Sequence, residues 1–419
     1  MSDHPKTMAE KILSRASGKS SIAGDYVWAV PDLVYLNDLM GPVALSVIRK
    51  IGIGKINYGG KLIFIVDHIY PPKDVSSANN IKIIREYAEE NNFVFIQGGE
   101  GIEHTVLIEK KLIRPGDLAV GTDSHTVTLG AVGCMGVGMG ITDVSAIMAL
   151  GKNWFLVPES IQIDLIGRLR KYVSGKDIIL SVLKILKEDG ANYMSMEFHG
   201  EAIRHLSIDQ RMAIANMTVE AGAKAGMIEP DELVGRFFDI DEEDLKNVRS
   251  DEGSHFAQRV DIDLDSIGPQ IAVPYSPANV HDVKEYVGVR VDQVYIGNCA
   301  NGTITDLREA AEVLRNRTVA KGVKLIIVPG SRDIYRQALK EGLIDVFLDA
   351  GAVISPPNCG ACAGLHMGVL GDGETAISHP KNHFKGRMGS PESRVYLANT
   401  YVAAAAALDG RIIDPEASL

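Results

Sequence analysis

Leu62-Ile-Phe-Ile-Val66 is an unbroken apolar run, and Asp67-His68 follows it at once. A run this short and rich in β-branched residues reads as a strand buried on both faces, the habit of parallel sheets. Ile81 to Glu90 follows as a helix, and Phe93-Val-Phe-Ile96 as a second strand closed by the Gly98-Gly-Glu-Gly101 turn. The alternation returns later. Val294-Tyr-Ile296, Val323 to Val328 and Val353-Ile354 read as strands, and Thr303 with Asp306 caps a helix expected to reach about Arg317. Strands alternating with helices predict an α/β fold built on parallel sheets. Three units are expected, at 1–155, 156–272 and 273–419. The middle one, from Pro158 to Pro274, shows fewer strong strands, and its acidic Asp239 to Asp251 segment reads as exposed. No internal repeat is visible. Tyr401 to Leu408, rich in alanine, reads as a tightly packed helix.

Composition narrows the function. A chain of 419 residues is too long for one ordinary core. A hydrophobic fraction of 46% with 23% charged residues describes a folded chain, and a net charge of −11 argues against nucleic acid or an anionic membrane as partner. No apolar run reaches the roughly 18 residues needed to cross a bilayer. Met1-Ser-Asp-His-Pro-Lys6 lacks the features of a secretory leader, so a cytoplasmic protein is expected. Four cysteines do not make a disulfide framework in so long a chain.

The polar residues at strand ends carry the chemistry. Asp67-His68 ends one run, Asp123-Ser124-His125 follows Leu118-Ala-Val120, and Cys299 follows Tyr295-Ile296. Ligands of open α/β sheets bind beyond the carboxyl ends of the strands. Cys359-Gly-Ala-Cys362 places two sulfurs within reach of one metal centre, and Cys299 sits between a strand and a helix N-terminus, where a thiolate is favoured. Three sulfurs without an obvious fourth suggest a centre with an open coordination position. Inert buried thiols, a dithiol of thioredoxin type and a zinc site with three cysteine ligands remain alternatives to an iron–sulfur centre. Cys134 reads as a core residue. Gly136-Val-Gly-Met-Gly140 does not complete a dinucleotide fingerprint and reads as close helix packing. Asp67-His68, Glu103-His104, Asp123-Ser-His125 and Glu197-Phe-His199 set imidazoles beside carboxylates, an arrangement suited to proton delivery.

Gly121-Thr-Asp-Ser-His-Thr126, Val66-Asp-His68, the Gly-x-Cys-x-Asn-Gly segment at 297–302, Asn358-Cys-Gly-Ala-Cys362 and Phe384-Lys-Gly-Arg-Met-Gly389 together resemble the aconitase superfamily. The resemblance covers essentially the whole chain and is strongest to the large-subunit branch of 3-isopropylmalate dehydratases and homoaconitases. It implies three aconitase-like α/β/α domains around one [4Fe–4S] cluster held by Cys299, Cys359 and Cys362. It further implies a hydro-lyase that dehydrates or isomerises a malate-like hydroxy acid. Asp67 and His68 would protonate the departing hydroxide, while His104 would pair with Asp123, and His125 with Glu197. Ser124 and Arg387 would touch the substrate. No stretch after Arg387 resembles the family's swivelling domain, so a separate small subunit is expected to complete the site in a heterodimer or heterotetramer, with no nucleic acid and no membrane involved. The chain departs from the family pattern at three places. Asn298-Cys-Ala stands for Ser-Cys-Thr, Thr303 for arginine, and Asn382 for a second arginine whose carboxylate contact is lost or moved to Lys381. Arginine and lysine are not equivalent at such a contact. Hence 2,3-dimethylmalate and homocitrate join isopropylmalate as candidate substrates.

Overall fold

The computed structural model describes residues 4–54, 56, 58–378 and 384–418. Its N-terminal third contains a parallel sheet of five strands, in the order Val94–Ile96, Lys61–Ile65, Leu33–Asn37, Leu118–Gly121, Met135–Gly138. Counted along the chain the order is 3-2-1-4-5. The chain starts in the middle, builds one flank, then returns to build the other. The reversal between Leu33–Asn37 and Leu118–Gly121 opens a crevice at the carboxyl ends of those two strands, the ordinary place for a ligand.

The C-terminal third repeats this plan. Gln293–Gly297, Lys324–Val328, Val353–Ile354, Thr375–Ser378 and Arg394–Ala398 pair in parallel, again in the order 3-2-1-4-5. Gln270–Ala272 and Val280–Asp282 extend the sheet antiparallel beside Arg394–Ala398. Gln270–Ala272 therefore belongs to this sheet, although the sequence reading ended the middle unit at Ala272.

The middle of the chain holds more strand than expected. Ser160–Ile166, Ser195–His199, Ala225–Ile228 and Gln258–Asp263 form an all-parallel sheet in the order 3-2-1-4. Glu197 and the alternating polar positions of Gln258–Asp263 broke the apolar runs that mark the other strands. The acidic segment contains a short helix, Glu242–Val248, whose acidic first turn is capped by Asp241.

Caps explain where the helices begin. The helix expected from Ile81 starts earlier, spanning Val75–Asn91, because Asp74 and Ser77 exchange hydrogen bonds in a capping box. Thr303 and Asp306 do the same for Ile304–Leu314, which stops three residues short of the expected Arg317. The alanine-rich helix Thr400–Asp409 buries Val402 through Ala407 completely, and packs its small side chains against Ile304–Leu314 and the strand Gln293–Gly297. Among the described residues, no helix is long and apolar enough to cross a membrane.

One contact fixes the Asp123 loop to the middle sheet. Gly130 lies in the tight helical segment Ser124–Val132, and a Cβ there would fall 1.7 Å from the carbonyl oxygen of Gly226 in the strand Ala225–Ile228. A clash with backbone cannot be relieved by a rotamer change. Gly130→Ala is expected to destabilise the protein by about 3 kcal/mol or more, or to prevent folding. Gly54→Ala, which meets nothing within 4 Å, should leave the urea midpoint unchanged.

Candidate functional site

The two five-strand arrays point their carboxyl ends at each other. Backbone bonds stitch the edges together: the amide of Ile102 donates to the carbonyl of Gly330 at 2.9 Å, that of Arg332 to Glu100 at 2.8 Å, and that of Cys359 to Asp67 at 3.0 Å. The N-terminal edge carries acids and imidazoles. The opposite edge carries thiols.

On the N-terminal edge, Asp38 follows Leu33–Asn37 and accepts the amides of Asp67, His68 and Ile69 at 2.8 to 2.9 Å. This holds the loop after Lys61–Ile65. Asp67, fully buried, lies 2.7 Å from Nδ1 of His68 through Oδ1 and accepts the Glu103 amide at 2.9 Å through Oδ2. The Nε2 of His68 faces Asp123 at 3.4 Å. Burial pulls the His68 imidazole down, but the Asp67 and Asp123 carboxylates outweigh it and hold the group well above its ordinary value. Its Nδ1 faces Asp67 and its Nε2 faces Asp123, so each ring nitrogen has a carboxylate beside it that favours the charged ring. Burial and the Asp67 charge push the Glu103 carboxyl well above its ordinary value, favouring its neutral form.

His104 is oriented by a relay. Tyr35 donates to Thr126 Oγ1 at 2.7 Å and Thr126 donates to the Asp123 carbonyl at 2.7 Å, so the Tyr35 oxygen is free to accept from His104 Nδ1 at 3.0 Å. His104 Nε2 then faces Asp123 Oδ1 at 3.4 Å, forming the expected pair. His125 also approaches Asp123, at 3.3 Å. Its other contacts are Ser124 Oγ, 3.0 Å from Nδ1, and Glu220 Oε1, 3.1 Å from Nε2.

Here the structure corrects the sequence reading. Glu220, not Glu197, is the carboxylate against His125. Glu197 lies at the start of the helix Met8–Ser17, where it accepts the Met8 and Ala9 amides at 3.2 Å and the hydroxyls of Ser160 and Ser250 at 2.9 and 2.6 Å. A buried carboxylate with that many donors is anchoring a helix N-terminus. Its remaining neighbour is His199, at 3.8 Å.

On the opposite edge, Cys299 lies in the short helix Asn298–Asn301 after Gln293–Gly297, and Cys359 and Cys362 follow Val353–Ile354. All three are buried. The Nδ2 of Asn216 points at Cys299 Sγ from 3.6 Å, and the Nδ2 of Asn298 lies 4.0 Å from Cys359 Sγ. Buried amide donors aimed at sulfur suit thiolates that carry metal. Among the described residues, the sets of three candidate ligand atoms lying within 4.8 Å of one another are Asp38 with Asp67 and His68, and His68 with Glu103 and Asp123.

Arg387 links the two edges. Its Nε donates to the Cys362 carbonyl at 2.7 Å, and its guanidinium, lowered by burial but raised more by Cys362, Cys359 and Asp123, lies over the Phe384 ring. Ser124 is exposed at the mouth. Thr303 is spent on capping its helix and is 3% exposed. Cys134 is fully buried among apolar side chains, and a Cβ on Gly136 would meet the Thr126 carbonyl at 2.1 Å, which is the reason for that glycine. Lys381 and Asn382 lie outside the described residues. Sequence reasoning missed Asp38, Tyr35, Asn216, Glu220 and Asn298. Leu33-Val-Tyr-Leu-Asn-Asp38 has the same apolar-run-then-acid form as Leu62 to Asp67, and that signal could have found Asp38 and Tyr35.

The family model described as the aconitase family (aconitate hydratase) matches residues 10–288 and 281–410 of the chain. Similar proteins include "3-isopropylmalate dehydratase large subunit 2" of Rubrobacter xylanophilus, 46% identical over 98% of both chains. The "3-isopropylmalate dehydratase large subunit" of Acetivibrio thermocellus is 45% identical, over 98% of this chain and 99% of its own. "3-isopropylmalate dehydratase large subunit 1" of Methanopyrus kandleri is 44% identical over the same shares.

His199 gives this region a pH signature. Burial lowers the imidazole, but Glu197 and Glu229 more than reverse this and bring it to about 9 from an ordinary 6.5. A raised histidine stabilises the fold fully below pH 6.5 and loses that contribution as pH rises through 9. The span corresponds to about 3 kcal/mol. Urea titrations of the parent should show stability falling across this window, and His199→Gln should flatten the slope; an unchanged slope would contradict the assignment.

Proposed function

The chain belongs to the aconitase family, and from that premise we propose that it is the cluster-bearing large subunit of a hydro-lyase acting on a malate-like 2-hydroxy acid, with 3-isopropylmalate the first substrate to assay. The observation that carries this reading is the bond between Cys359 and Asp67, which brings the thiol edge against the imidazole edge. The relatives' names support both the substrate and a small-subunit partner.

Cys299, Cys359 and Cys362 would hold a [4Fe–4S] cluster. Membership of the aconitase family supports that group over a single zinc ion. When bound, the cluster supplies a Lewis-acidic iron for the substrate hydroxyl. The chain's own residues handle protons and charge. The reaction removes a hydrogen from one carbon and hydroxide from its neighbour, forming an alkene and water without change of redox state. Hydroxide is a poor leaving group unless it is protonated as it departs. His68 would give the proton that turns the departing hydroxide into water, Asp67 behind it keeps the ring oriented, and the proton leaving carbon would pass to a base on the small subunit. His104, oriented by Tyr35, and His125, oriented by Glu220, face the same Asp123 carboxylate and set the hydrogen-bonding surface around the substrate. Arg387 and the exposed Ser124 would bind a substrate carboxylate. A small subunit would close the mouth and exclude bulk water.

A substrate panel and three variants test this. Co-expressed with a small subunit and prepared without oxygen, the protein should bind iron and sulfide and dehydrate one of isopropylmalate, dimethylmalate, homocitrate or citrate. Turnover of none of these would overturn the assignment. Cys359→Ser should abolish cluster and turnover together. Glu220→Gln should keep the cluster and the fold but lower kcat by about tenfold or more, whereas Glu197→Gln should act mainly on stability, by about 2 kcal/mol. A larger kcat loss in the Glu197 variant would restore the pairing that the structure replaced.

A further inference from the structure

Asn298 is 1% exposed and adopts φ +85°, a left-handed conformation that few residues other than glycine and asparagine tolerate. Its side chain is used at both ends. Oδ1 accepts the amide of Cys299, and Nδ2 donates to the carbonyl of Cys359 at 2.8 Å. Those two cysteines lie 60 residues apart in sequence and on loops that follow different strands, Gln293–Gly297 and Val353–Ile354. Strand pairing fixes where each loop starts, the Cys359 amide is held by the Asp67 carbonyl across the site, and the Asn298 side chain ties the one loop to the other. The preceding residue, Gly297, is equally constrained, since a Cβ there would lie 2.0 Å from the Val328 carbonyl.

We propose that Asn298 is a positioning residue that braces the Cys299 and Cys359 loops against each other and so slows loss of the iron–sulfur cluster. The inference rests on the cluster reading above. A primary amide offers an acceptor and a donor at the end of one short stem, which no other side chain supplies at this reach. Aspartate keeps the acceptor and loses the donor. Glycine keeps the backbone conformation and loses both. Release of a cluster requires sulfur–iron bonds to open in succession, and a loop that cannot drift after the first opening returns its sulfur to the metal. Preorganised ligands raise retention for this reason.

The test uses the full chain, reconstituted anaerobically with ferrous iron and sulfide, then challenged with a ferrous chelator. Loss of the visible absorbance gives the release rate, and urea unfolding of the cluster-free protein gives fold stability. Asn298→Gly and Asn298→Asp should release iron about fivefold faster or more, the range expected for one or two lost hydrogen bonds. The urea midpoint of the glycine variant should fall by less than the release rate rises, because glycine loses both bonds but accepts the positive φ. Release within about twofold of the parent would overturn the inference and leave the cluster reading standing. Faster release accompanied by an equal loss of cluster-free stability would overturn it too, by showing a merely structural role. A parent chain that takes up no cluster would remove both readings together.

Discussion

The amide of Cys359 meets the carbonyl of Asp67 at 3.0 Å, and the rest of the site depends on that meeting. Asp67 stands at the end of a strand in one sheet, and Cys359 beyond the end of a strand in the other. Each sheet alone would offer an incomplete crevice, one with protons and no metal ligands, the other with thiols and no acid. Backbone groups at strand ends have no partner in their own sheet and must find one elsewhere. Here they find it across the gap, at Ile102 with Gly330 and Arg332 with Glu100 as well. The need to satisfy edge backbone therefore aligns the two chemical halves.

The same order, 3-2-1-4, recurs among the parallel strands of the three larger sheets, with a fifth parallel strand added in the outer two. No repeat is visible in the residues, because a buried parallel strand requires only a short apolar run and many sequences supply one. In the N-terminal sheet the loop at the reversal point carries Asp123 to His125, and in the C-terminal sheet Arg387 follows the corresponding strand, Thr375–Ser378, in sequence.

Burial sets the electrostatics. Asp67, Glu103 and His104 are at most 1% exposed, and close carboxylates cannot all carry charge in a dry site. The structure biases the charge: Asp67 and Asp123 favour the cationic form of His68, and burial with Asp67 favours the neutral form of Glu103.

Much of this was legible in the sequence. Apolar runs ended by Asp67-His68, Asp123-Ser-His125 and Cys299 located the strands and their catalytic ends, because buried strands leave unbroken hydrophobic signals. The strands around Glu197 and Gln258–Asp263 were hidden by polar residues, and the partner of His125 was hidden more deeply. Glu220 lies in the short turn Met217–Ala221 with no pattern about it, whereas Glu197 stands beside a histidine in sequence. Adjacency in sequence says little about which carboxylate an imidazole meets when both lie on different elements. The most direct test of the account is a Mössbauer spectrum of iron-57-loaded protein with its small subunit, recorded before and after adding the hydroxy acid. The account predicts that about one iron in four changes its signal, since three are tied to cysteine. A spectrum that does not respond to substrate, or iron bound as a single ion, would contradict it.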